Sequence, residues 1–295
     1  MMMVIVTSLG NSEKMARSIA RRLKAKYVVC DVSAFPDGDR YMRFAKNVRG
    51  SNVIIVQSFQ PNPQKSLLDV VFAAEGIKQL GGRRVTVVAP YLAYMRQDKM
   101  FNPGEVISSR VMAKLLNNSV DSIVTIDPHL HRYKSMSDIF KIKAMNLCSN
   151  PLIGAYVKRN IKNAVVIGPD SESYQWAEEV AEVAGVQCTV FEKTRYSSRK
   201  VSVKMMKPID MKGKNVVIVD DIISTGHTIA EAAKKAKSLG ARSVTAITVH
   251  GLFAGDALKL MKKAGVSKVV SCNTIAHKTN GIDVTPLLTS WLKKN

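Results

Sequence analysis

The sequence predicts an α/β fold of two tandem domains, each a mostly parallel sheet flanked by helices. Short apolar runs rich in Val and Ile alternate with amphipathic stretches along the whole chain. The runs lack the polar–apolar alternation of half-exposed strands, which indicates strands buried on both faces of a parallel sheet. Several amphipathic stretches end at Gly, as helices commonly do. With 295 residues, the chain is long enough for two cores.

The predicted elements follow one another in the order expected of right-handed crossover units. We expect strands at residues 4–6, 53–56, 85–89, 123–126, 165–167, 189–191, 216–219, 244–249 and 269–270. We expect helices at residues 14–23, 64–80, 107–116, 174–184 and 229–239, and a last helix at 286–295. The alternation favours the α/β class throughout.

The two halves of the chain repeat the same order of features, which indicates a duplicated α/β unit. One strand in each half leads into a basic loop, at 90–99 and at 192–200. Another strand in each half ends in an acidic residue, Asp127 or Asp220. We therefore expect a first domain at residues 1–145 and a second domain at residues 146–285. We expect the C-terminal helix at 286–295 to pack on the first domain.

The composition restricts the class of protein. Four cysteines stand far apart with no Cys-x-x-Cys pair, so neither a zinc site nor a disulfide framework is indicated, and the cytoplasm is favoured. No apolar stretch of about 18 residues is present, so no membrane span is expected, and the first residues do not resemble a signal peptide. The net charge of +21 would suit nucleic acid, but the basic clusters are short and carry no interleaved aromatics. We expect neither a nucleic acid nor a membrane partner, and assign the charge to solvated faces and small anionic ligands.

The strongest functional motif follows the predicted strand at 216–219. Asp220 and Asp221 stand at the carboxyl end of this strand, where open α/β sheets bind ligands. A turn then leads into a helix expected near Ile229, and it consists of Ser224, Thr225, Gly226, His227 and Thr228. Backbone N–H groups, hydroxyls and a helix N-terminus together form a phosphate site. Because paired carboxylates accept hydrogen bonds from vicinal hydroxyls, the motif indicates a sugar phosphate; the alternative is a capped helix beside two acids, which are costly to bury without a partner.

This segment resembles the signature of the phosphoribosyl family, whose loop holds the 5-phosphate of ribose. The signature is shared by enzymes that make phosphoribosyl pyrophosphate and by enzymes that consume it. The remaining motifs, over nearly the whole chain, resemble the ribose-phosphate pyrophosphokinase family. The resemblance implies two phosphoribosyltransferase-like domains and Mg²⁺-dependent transfer of the diphosphoryl group of ATP to O1 of ribose 5-phosphate, with release of AMP. In that case Asp220 and Asp221 orient the ribose.

A first nucleotide segment is Phe-Pro-Asp-Gly-Asp at residues 35–39. It resembles the family loop that pairs an aromatic residue with acids around adenine, which implies that Phe35, Asp37 and Asp39 bind ATP. The family usually has Glu where Asp39 stands. Pro-Asp-Gly is also a favourable hairpin turn in its own right.

A second nucleotide segment follows the predicted strand at 85–89. Arg96, Gln97 and Lys99 resemble the family segment that binds the phosphates of ATP. Guanidinium and ammonium groups in this loop would neutralise a triphosphate. The alternative is an exposed basic loop.

Two further segments resemble parts of the family's metal site. Asp-Pro-His at 127–129 resembles the family's Asp-Leu-His, so His129 is expected to bind ATP and Mg²⁺, in part through water because Mg²⁺ prefers oxygen ligands. Asp170 resembles the family's metal-facing Asp, but the usual glycine-rich continuation is replaced by Ser-Glu-Ser at 171–173. The roles of Glu172 and His131 stay open, and these departures suggest a less common branch, archaeal in type.

The predicted strand at 189–191 is followed by a basic segment that we expect to be a loop. Lys193 and Arg195 resemble the family's catalytic Lys-x-Arg. Diphosphoryl transfer develops negative charge on phosphoryl oxygens and on the departing AMP, and positioned cations stabilise that charge. A solvated basic hairpin is the alternative.

Three other functions stay open at this point. A phosphoribosyltransferase would share the segment at 220–228 but would not need a second α/β unit. A non-catalytic regulatory subunit would lose charged site residues, whereas Lys193, Arg195 and His129 are present. A nucleic-acid-binding regulator predicts salt-dependent DNA binding and a binding module that we do not find. The family resemblance also implies at least a homodimer, in which a neighbour completes the nucleotide pocket.

Overall fold

The structure is a computed structural model of the chain, and it divides into two compact units. It describes residues 3–170, 173–195, 201–205 and 208–295, and for residues 192–195 and 201–204 it describes the backbone only. Unit 1 comprises Met1–Leu147, Thr274–Ala276 and Val284–Asn295. Unit 2 comprises Cys148–Asn273 and His277–Asp283. The last helix therefore belongs to the same unit as the N-terminal half.

Unit 1 is built on a six-stranded parallel sheet and a separate antiparallel hairpin. Its strands are β1 (Val4–Ser8), β2 (Lys26–Tyr27), β3 (Cys30–Ala34), β4 (Arg40–Phe44), β5 (Asn52–Val56), β6 (Arg84–Ala89), β7 (Ser122–Ile126) and β8 (Lys143–Leu147). The sheet has the order β2-β1-β5-β6-β7-β8, and β3 pairs with β4. Every residue of β7 is buried, as expected for a Val- and Ile-rich strand inside a parallel sheet.

The helices of unit 1 begin and end at recognisable signals. They are α1 (Glu13–Leu23), α2 (Pro63–Gln79), α3 (Ser108–Ser119), a short 3-10 helix (Met136–Asp138) and the C-terminal helix (Thr285–Lys294). The side chain of Asn62 accepts a hydrogen bond from the Lys65 N–H, and Pro63 opens α2, which is where proline fits a helix. The C-terminal helix packs against α1.

Unit 2 is built on a seven-stranded sheet that is parallel except at one edge. Its strands are β9 (Ala164–Gly168), β10 (Gln187–Arg195), β11 (Val201–Met205), β12 (Asn215–Ile223), β13 (Ser243–Gly251), β14 (Lys268–Cys272) and β15 (Asn280–Ile282). They have the order β11-β10-β9-β12-β13-β14-β15, and the pair β10–β11 is antiparallel. Its helices are α4 (Asn150–Asn160), α5 (Tyr174–Ala184), α6 (His227–Ser238) and α7 (Ala257–Lys263).

The core of unit 2 lies between the sheet and the helices that cover it. Apolar side chains of β12, such as Val216 and Ile218, meet Ile229 and Ala233 of α6 in one buried cluster. Helix α5 ends at Gly185, which adopts a left-handed φ of 69°, as glycine does at helix ends. Packing of this kind fixes the carboxyl end of β12 relative to the start of α6.

The predicted fold class is confirmed, and each expected strand and helix has a counterpart. Three of the expected boundaries that differ from the structure bear on the candidate site. Strand β12 runs on to Ile223 because it keeps its pairing with β13, and α6 begins at His227 rather than near Ile229. Strand β10 runs to Arg195 because it pairs with β11 at the sheet edge, where polar residues are tolerated. Among the residues described, no helix has the length and apolar character to cross a membrane.

Candidate active site

The paired acids lie on β12 where this strand loses one of its neighbours. Strand β12 pairs with β9 as far as Ile218 and continues beside β13 to Ile223. Asp220 and Asp221 therefore lie within the strand, past the end of β9, rather than after the strand as the sequence had suggested. The Asp221 N–H donates to Oδ1 of Asp220 over 3.1 Å, and the Thr248 hydroxyl donates to the Asp221 carbonyl over 3.1 Å.

Negative charge is concentrated at this position. Burial, together with the charges of Asp221 and Asp170, raises the pKa of Asp220 well above its ordinary value. Unit 2 thus brings together three of the acids that the sequence singled out. A group of carboxylates of this kind requires a bound proton, a cation or hydroxyl donors to be stable.

The turn after β12 presents a row of backbone donors. Within the described part of the chain, the N–H groups of residues 225–228 donate to no protein acceptor. Gly226 has a φ of 78° and stands at the N-terminus of α6 without a side-chain cap. The carbonyl of Ser224 accepts the Ala254 N–H over 3.0 Å, and that of Gly226 accepts the Ala230 N–H over 2.9 Å. The carbonyls are therefore held in place while the donors stay available, as a phosphate site requires.

Asp170 belongs to a tight turn after β9. Its Oδ1 accepts the Ser173 N–H over 3.2 Å, and its carbonyl accepts the Ser173 hydroxyl over 2.7 Å. Gly168 is required here because a Cβ would collide with the Ser173 hydroxyl and with Val190. Residues 171–172, including Glu172, lie outside the described residues.

In unit 1, the predicted phosphate segment lies in the loop after β6, as expected. Arg96 and Lys99 are exposed. The side chain of Gln97 points back into the loop, because its Nε2 donates to Oε2 of Glu105 over 3.1 Å and to the Lys99 carbonyl over 3.2 Å. Hydrogen bonds from Asn102 and Phe101 lower the pKa of Glu105. Arg96 and Lys99 are thus the available cations of this loop, whereas Gln97 helps to shape it.

The sequence analysis did not identify Asp98, which precedes Lys99, as the residue that anchors this loop. The side chain of Asp98 is buried and accepts two hydrogen bonds from Nη1 of Arg132, at 3.0 and 3.1 Å. The Tyr133 hydroxyl donates to the Asp98 carbonyl over 3.1 Å and contacts the Ser109 hydroxyl at 2.9 Å. A buried, paired carboxylate of this kind fixes a loop. The acidic residue inside Arg-Gln-Asp-Lys was the signal that could have revealed it.

The histidines follow the buried end of β7. Asp127 is buried and adopts a left-handed φ of 34°. His129 is half-buried and His131 is exposed, and their ring centroids lie 3.9 Å apart. The two rings therefore form a pair rather than one ligand and a distant neighbour.

The segment at 35–39 forms the turn of the β3–β4 hairpin. The Phe35 N–H donates to the Asp39 carbonyl over 2.8 Å, and the Asp39 N–H donates to Oδ1 of Asp37 over 3.2 Å. The ring of Phe35 is 52% exposed and packs edge-on against Tyr41 at 5.7 Å. The described contacts of this turn lie within the hairpin, which leaves an aromatic ring and two acids open to solvent.

Lys193 and Arg195 occupy strand β10, where their backbones pair with Val203 and Val201. The expectation that they lie in a loop was wrong, since the hairpin with β11 extends the strand. Their side chains lie outside the described part of the chain, as do residues 196–200. Their catalytic assignment stays a prediction.

Comparison with known proteins identifies the family to which this chain belongs and the reaction of that family. The family model for the N-terminal domain of ribose phosphate pyrophosphokinase matches residues 3–119, and the model for the phosphoribosyl transferase domain matches residues 135–287. A ribose-phosphate pyrophosphokinase from Methanothermobacter thermautotrophicus is 35% identical over 290 residues, which cover 98% of this chain and 100% of the relative. The chain belongs to the ribose-phosphate pyrophosphokinase family. The predicted family and its activity are thereby confirmed.

Other members of the family agree. The ribose-phosphate pyrophosphokinase of Saccharolobus solfataricus is 35% identical over 260 residues, which cover 88% of each chain. The crystal structure of phosphoribosylpyrophosphate synthetase from Mycobacterium smegmatis superposes with a TM-score of 0.86 at 26% identity, covering 99% of this chain and 98% of that chain. A phosphoribosyltransferase alone would not account for the match to the N-terminal pyrophosphokinase domain. The two curated relatives named here are archaeal, in agreement with the archaeal type suggested by the sequence.

Proposed function

We propose that the residues named above carry out the reaction of the family. This reaction transfers the diphosphoryl group of ATP to O1 of ribose 5-phosphate and releases phosphoribosyl pyrophosphate and AMP. The observation that carries the proposal is the row of N–H groups at residues 225–228, which donate to no acceptor in the described part of the chain and lie on the turn that follows the strand of Asp220 and Asp221. Unit 2 supplies the ribose 5-phosphate side and unit 1 the nucleotide side.

The segment from β12 to α6 binds ribose 5-phosphate. The amides of 225–228, the hydroxyls of Ser224, Thr225 and Thr228, and the positive end of α6 hold the 5-phosphate. Asp220 and Asp221 accept hydrogen bonds from the vicinal ribose hydroxyls, which replaces repulsion between the carboxylates with donor contacts. Fixing both ends of the sugar directs O1 toward the β-phosphorus and supplies a large part of the rate by orientation.

A hard cation fits the acids of unit 2. Carboxylate oxygens are the ligands that Mg²⁺ prefers, and burial, followed by the charges of Asp221 and Asp170, raises the pKa of Asp220. We assign Asp170 as a ligand and His129 as a contact through water. When bound, Mg²⁺ neutralises phosphate oxygens and lowers the repulsion that the attacking oxygen meets.

Cationic side chains complete the proposal. Arg96 and Lys99 bind the phosphates of ATP, and the turn with Phe35, Asp37 and Asp39 receives adenine. Lys193 and Arg195 stabilise the negative charge that develops on the transferred group and on AMP. No general base is assigned, because positioning and charge neutralisation dominate phosphoryl transfer.

The setting of the enzyme follows from the same proposal. The exposed tip of the β3–β4 hairpin suits a homodimer or larger homo-oligomer in which the turn serves a neighbouring copy. We propose a cytoplasmic enzyme with ATP and ribose 5-phosphate as partners and with no nucleic acid or membrane partner.

Phosphorus NMR of the purified protein with ATP, Mg²⁺ and ribose 5-phosphate tests the reaction. We expect AMP and a new sugar diphosphate in equal amounts, and formation of ADP alone would contradict the proposal. Asp221→Asn should raise the KM for ribose 5-phosphate by about tenfold or more, since hydrogen bonds to charged groups are worth about 1.5–3 kcal/mol. Asp210→Asn, at an exposed position of the same unit, is the matched control and should leave KM unchanged.

A further inference from the structure

The segment after β13, residues 252–254, is hydrogen-bonded to the start of the proposed phosphate-binding turn. The N–H groups of Leu252 and Phe253 both donate to the Ile223 carbonyl, over 3.0 and 3.1 Å. The Ala254 N–H donates to the Ser224 carbonyl over 3.0 Å. Two successive carbonyls at the start of the turn are thus fixed by three successive N–H groups. The direction of the amides that follow, at 225–228, depends on these bonds.

Phe253 holds this segment in an unfavourable backbone conformation. Its φ is 44°, in the left-handed region that costs a non-glycine residue about 1–2 kcal/mol. Such a conformation persists only where the surroundings enforce it. The ring of Phe253 packs directly on the backbone of Gly251, where any Cβ would collide with it. The packing of one ring therefore maintains the conformation from which Ala254 reaches Ser224.

His277 also contacts that ring. The centroids of the Phe253 and His277 rings lie 4.8 Å apart at an interplanar angle of 45°. The backbone N–H of His277 donates to Oδ1 of Asn280 over 2.9 Å, and the Thr279 hydroxyl lies 2.8 Å from Nδ1. The Thr279 hydroxyl also contacts the Ser271 hydroxyl at 2.7 Å. The position of the imidazole is thus fixed by β14 and β15 rather than by solvent.

The protonation of His277 suits a packing role. The Thr279 N–H donates to Nδ1 over 3.2 Å, so Nδ1 carries the lone pair and the ring proton lies on Nε2. Burial, and to a lesser degree the charge of Lys278, lowers the pKa of His277. A neutral imidazole at this place packs on Phe253 as an aromatic ring and does not need a counter-charge.

We propose that Phe253, in contact with Gly251 and His277, is a positioning residue that sets the geometry of the ribose 5-phosphate turn. The inference rests on the proposed function, and it adds a residue that does not touch the substrate. Gly226, within the turn, packs against Ala257, which follows the supporting segment 252–254 in the chain. A Cβ at Gly226 would lie 3.2 Å from the Ala257 carbonyl. Shortening the Phe253 side chain releases the left-handed backbone, and the Ala254 N–H then moves away from Ser224.

Steady-state kinetics with each substrate varied in turn tests the proposal. Phe253→Ala should raise the KM for ribose 5-phosphate by about tenfold and change the KM for ATP less than twofold, because a misplaced turn weakens only its own ligand. Phe253→Tyr keeps the ring and should restore the KM of the wild type. His277→Ala should raise the KM for ribose 5-phosphate by a smaller factor. The double variant should have the same KM as Phe253→Ala, because His277 acts through the Phe253 ring.

The matched control is Tyr156→Ala, which removes another aromatic ring of unit 2, one in contact with Lys268, the first residue of β14. It should leave both KM values unchanged. If the wild type is active but Phe253→Ala keeps the wild-type KM for ribose 5-phosphate, or raises both KM values alike, the positioning role is overturned. The proposed function is unaffected by that result. A wild type that forms no AMP would overturn the proposed function and this inference with it. If Phe253→Ala does not fold, an unchanged KM in His277→Ala would reject the role.

Discussion

The two units contain the same strand in the same place, yet they use its end differently. Strand β5 lies beside β1 in unit 1 as β12 lies beside β9 in unit 2, and the sheets continue with β6 and β13. The two strands even begin alike, with Asn-Val-Ile-Ile-Val at 52–56 and Asn-Val-Val-Ile-Val at 215–219. Both positions correspond to the crevice where open α/β sheets bind ligands.

The residues after these strands differ in charge. Unit 1 continues with Gln57 and Ser58, both buried, and Gln57 donates from Nε2 to the Ser58 carbonyl over 3.0 Å. Unit 2 continues with Asp220 and Asp221, and the pKa of Asp220 is raised by burial and by neighbouring acids. In unit 1 this crevice is lined by neutral side chains, and Oε1 of Gln57 and Oγ of Ser58 are buried without a hydrogen-bond partner among the described residues, whereas unit 2 places two acids at the corresponding point.

The helices that follow differ in how their first N–H groups are used. In unit 1, the Asn62 side chain caps α2 and Pro63 removes one N–H group. In unit 2, Gly226 gives no side-chain cap to α6 and no proline follows. Because the open amides of a helix N-terminus attract phosphate, the cap and the proline of α2 remove donors that α6 keeps available. The same position in the two sheets thus carries neutral residues and a capped helix in unit 1, and paired acids and an uncapped helix in unit 2.

Placing the acids of unit 2 into unit 1 is the strongest way to break this comparison. We expect Gln57→Asp combined with Ser58→Asp to destabilise unit 1 by about 3 kcal/mol, because buried carboxylates without partners are costly. Urea unfolding followed by the fluorescence of Trp291, in a Trp176→Phe background, reports on unit 1. Gln64→Asp, at an exposed position of α2, serves as the control. Equal midpoints for the two variants would mean that the unit 1 crevice tolerates charge and that the comparison is mistaken.

A smaller effect is expected from closing the turn in unit 2. Gly226→Ala imposes a Cβ at a φ of 78° and places it 3.2 Å from the Ala257 carbonyl. We expect the KM for ribose 5-phosphate to rise by about tenfold and stability to fall by about 1–2 kcal/mol. Gly185→Ala has a similar left-handed φ of 69° but open space around its Cβ, so it should lose similar stability and keep its KM. Equal KM values in the two variants would argue against a binding role for the turn.

Much of the fold, but less of the site, could be predicted from sequence. Strands such as β7 and β9 are buried runs of apolar residues, and their pattern depends only on local composition. The extension of β10 to Arg195 carries no such pattern, because its charged residues pair with β11 at an edge and the pairing is set by tertiary contacts. The hairpin of β3 and β4 was foreseen only as a turn for the same reason.

The site shows the same division between local and long-range signals. The motif at 220–228 is contiguous, so its chemistry could be inferred from neighbouring residues. The pairing of Asp98 with Arg132 and the stacking of Phe253 on His277 join residues far apart in the chain. No periodicity or spacing marks such partners, and they emerge only once the strands are in place.

The charge at Asp220 gives a third test, through the pH dependence of stability. Because the folded state raises the pKa of Asp220, it binds a proton more tightly than the unfolded chain, whose Asp has a pKa of about 3.9. This group therefore makes the ligand-free enzyme less stable as pH rises from that value through the folded pKa. Asp220→Asn should be more stable than the wild type, increasingly so across this range. Thermal unfolding without Mg²⁺ measures the difference, and a gain independent of pH, or one equal to that of Asp210→Asn, would contradict it.

The smallest effect is expected where unit 1 keeps its helix closed. Asn62→Ala removes the side chain that accepts the Lys65 N–H over 3.1 Å, and loss of such a cap costs about 1 kcal/mol. Because Pro63 still occupies the first turn of α2, the variant exposes fewer free backbone N–H groups than the first turn of α6 does. In addition, no pair of acids precedes α2 as Asp220 and Asp221 precede α6. We therefore expect lower stability of unit 1 by Trp291 fluorescence and an unchanged KM for ribose 5-phosphate. A change in that KM would mean that the crevice of unit 1 takes part in binding, and that the two copies differ in degree rather than in kind.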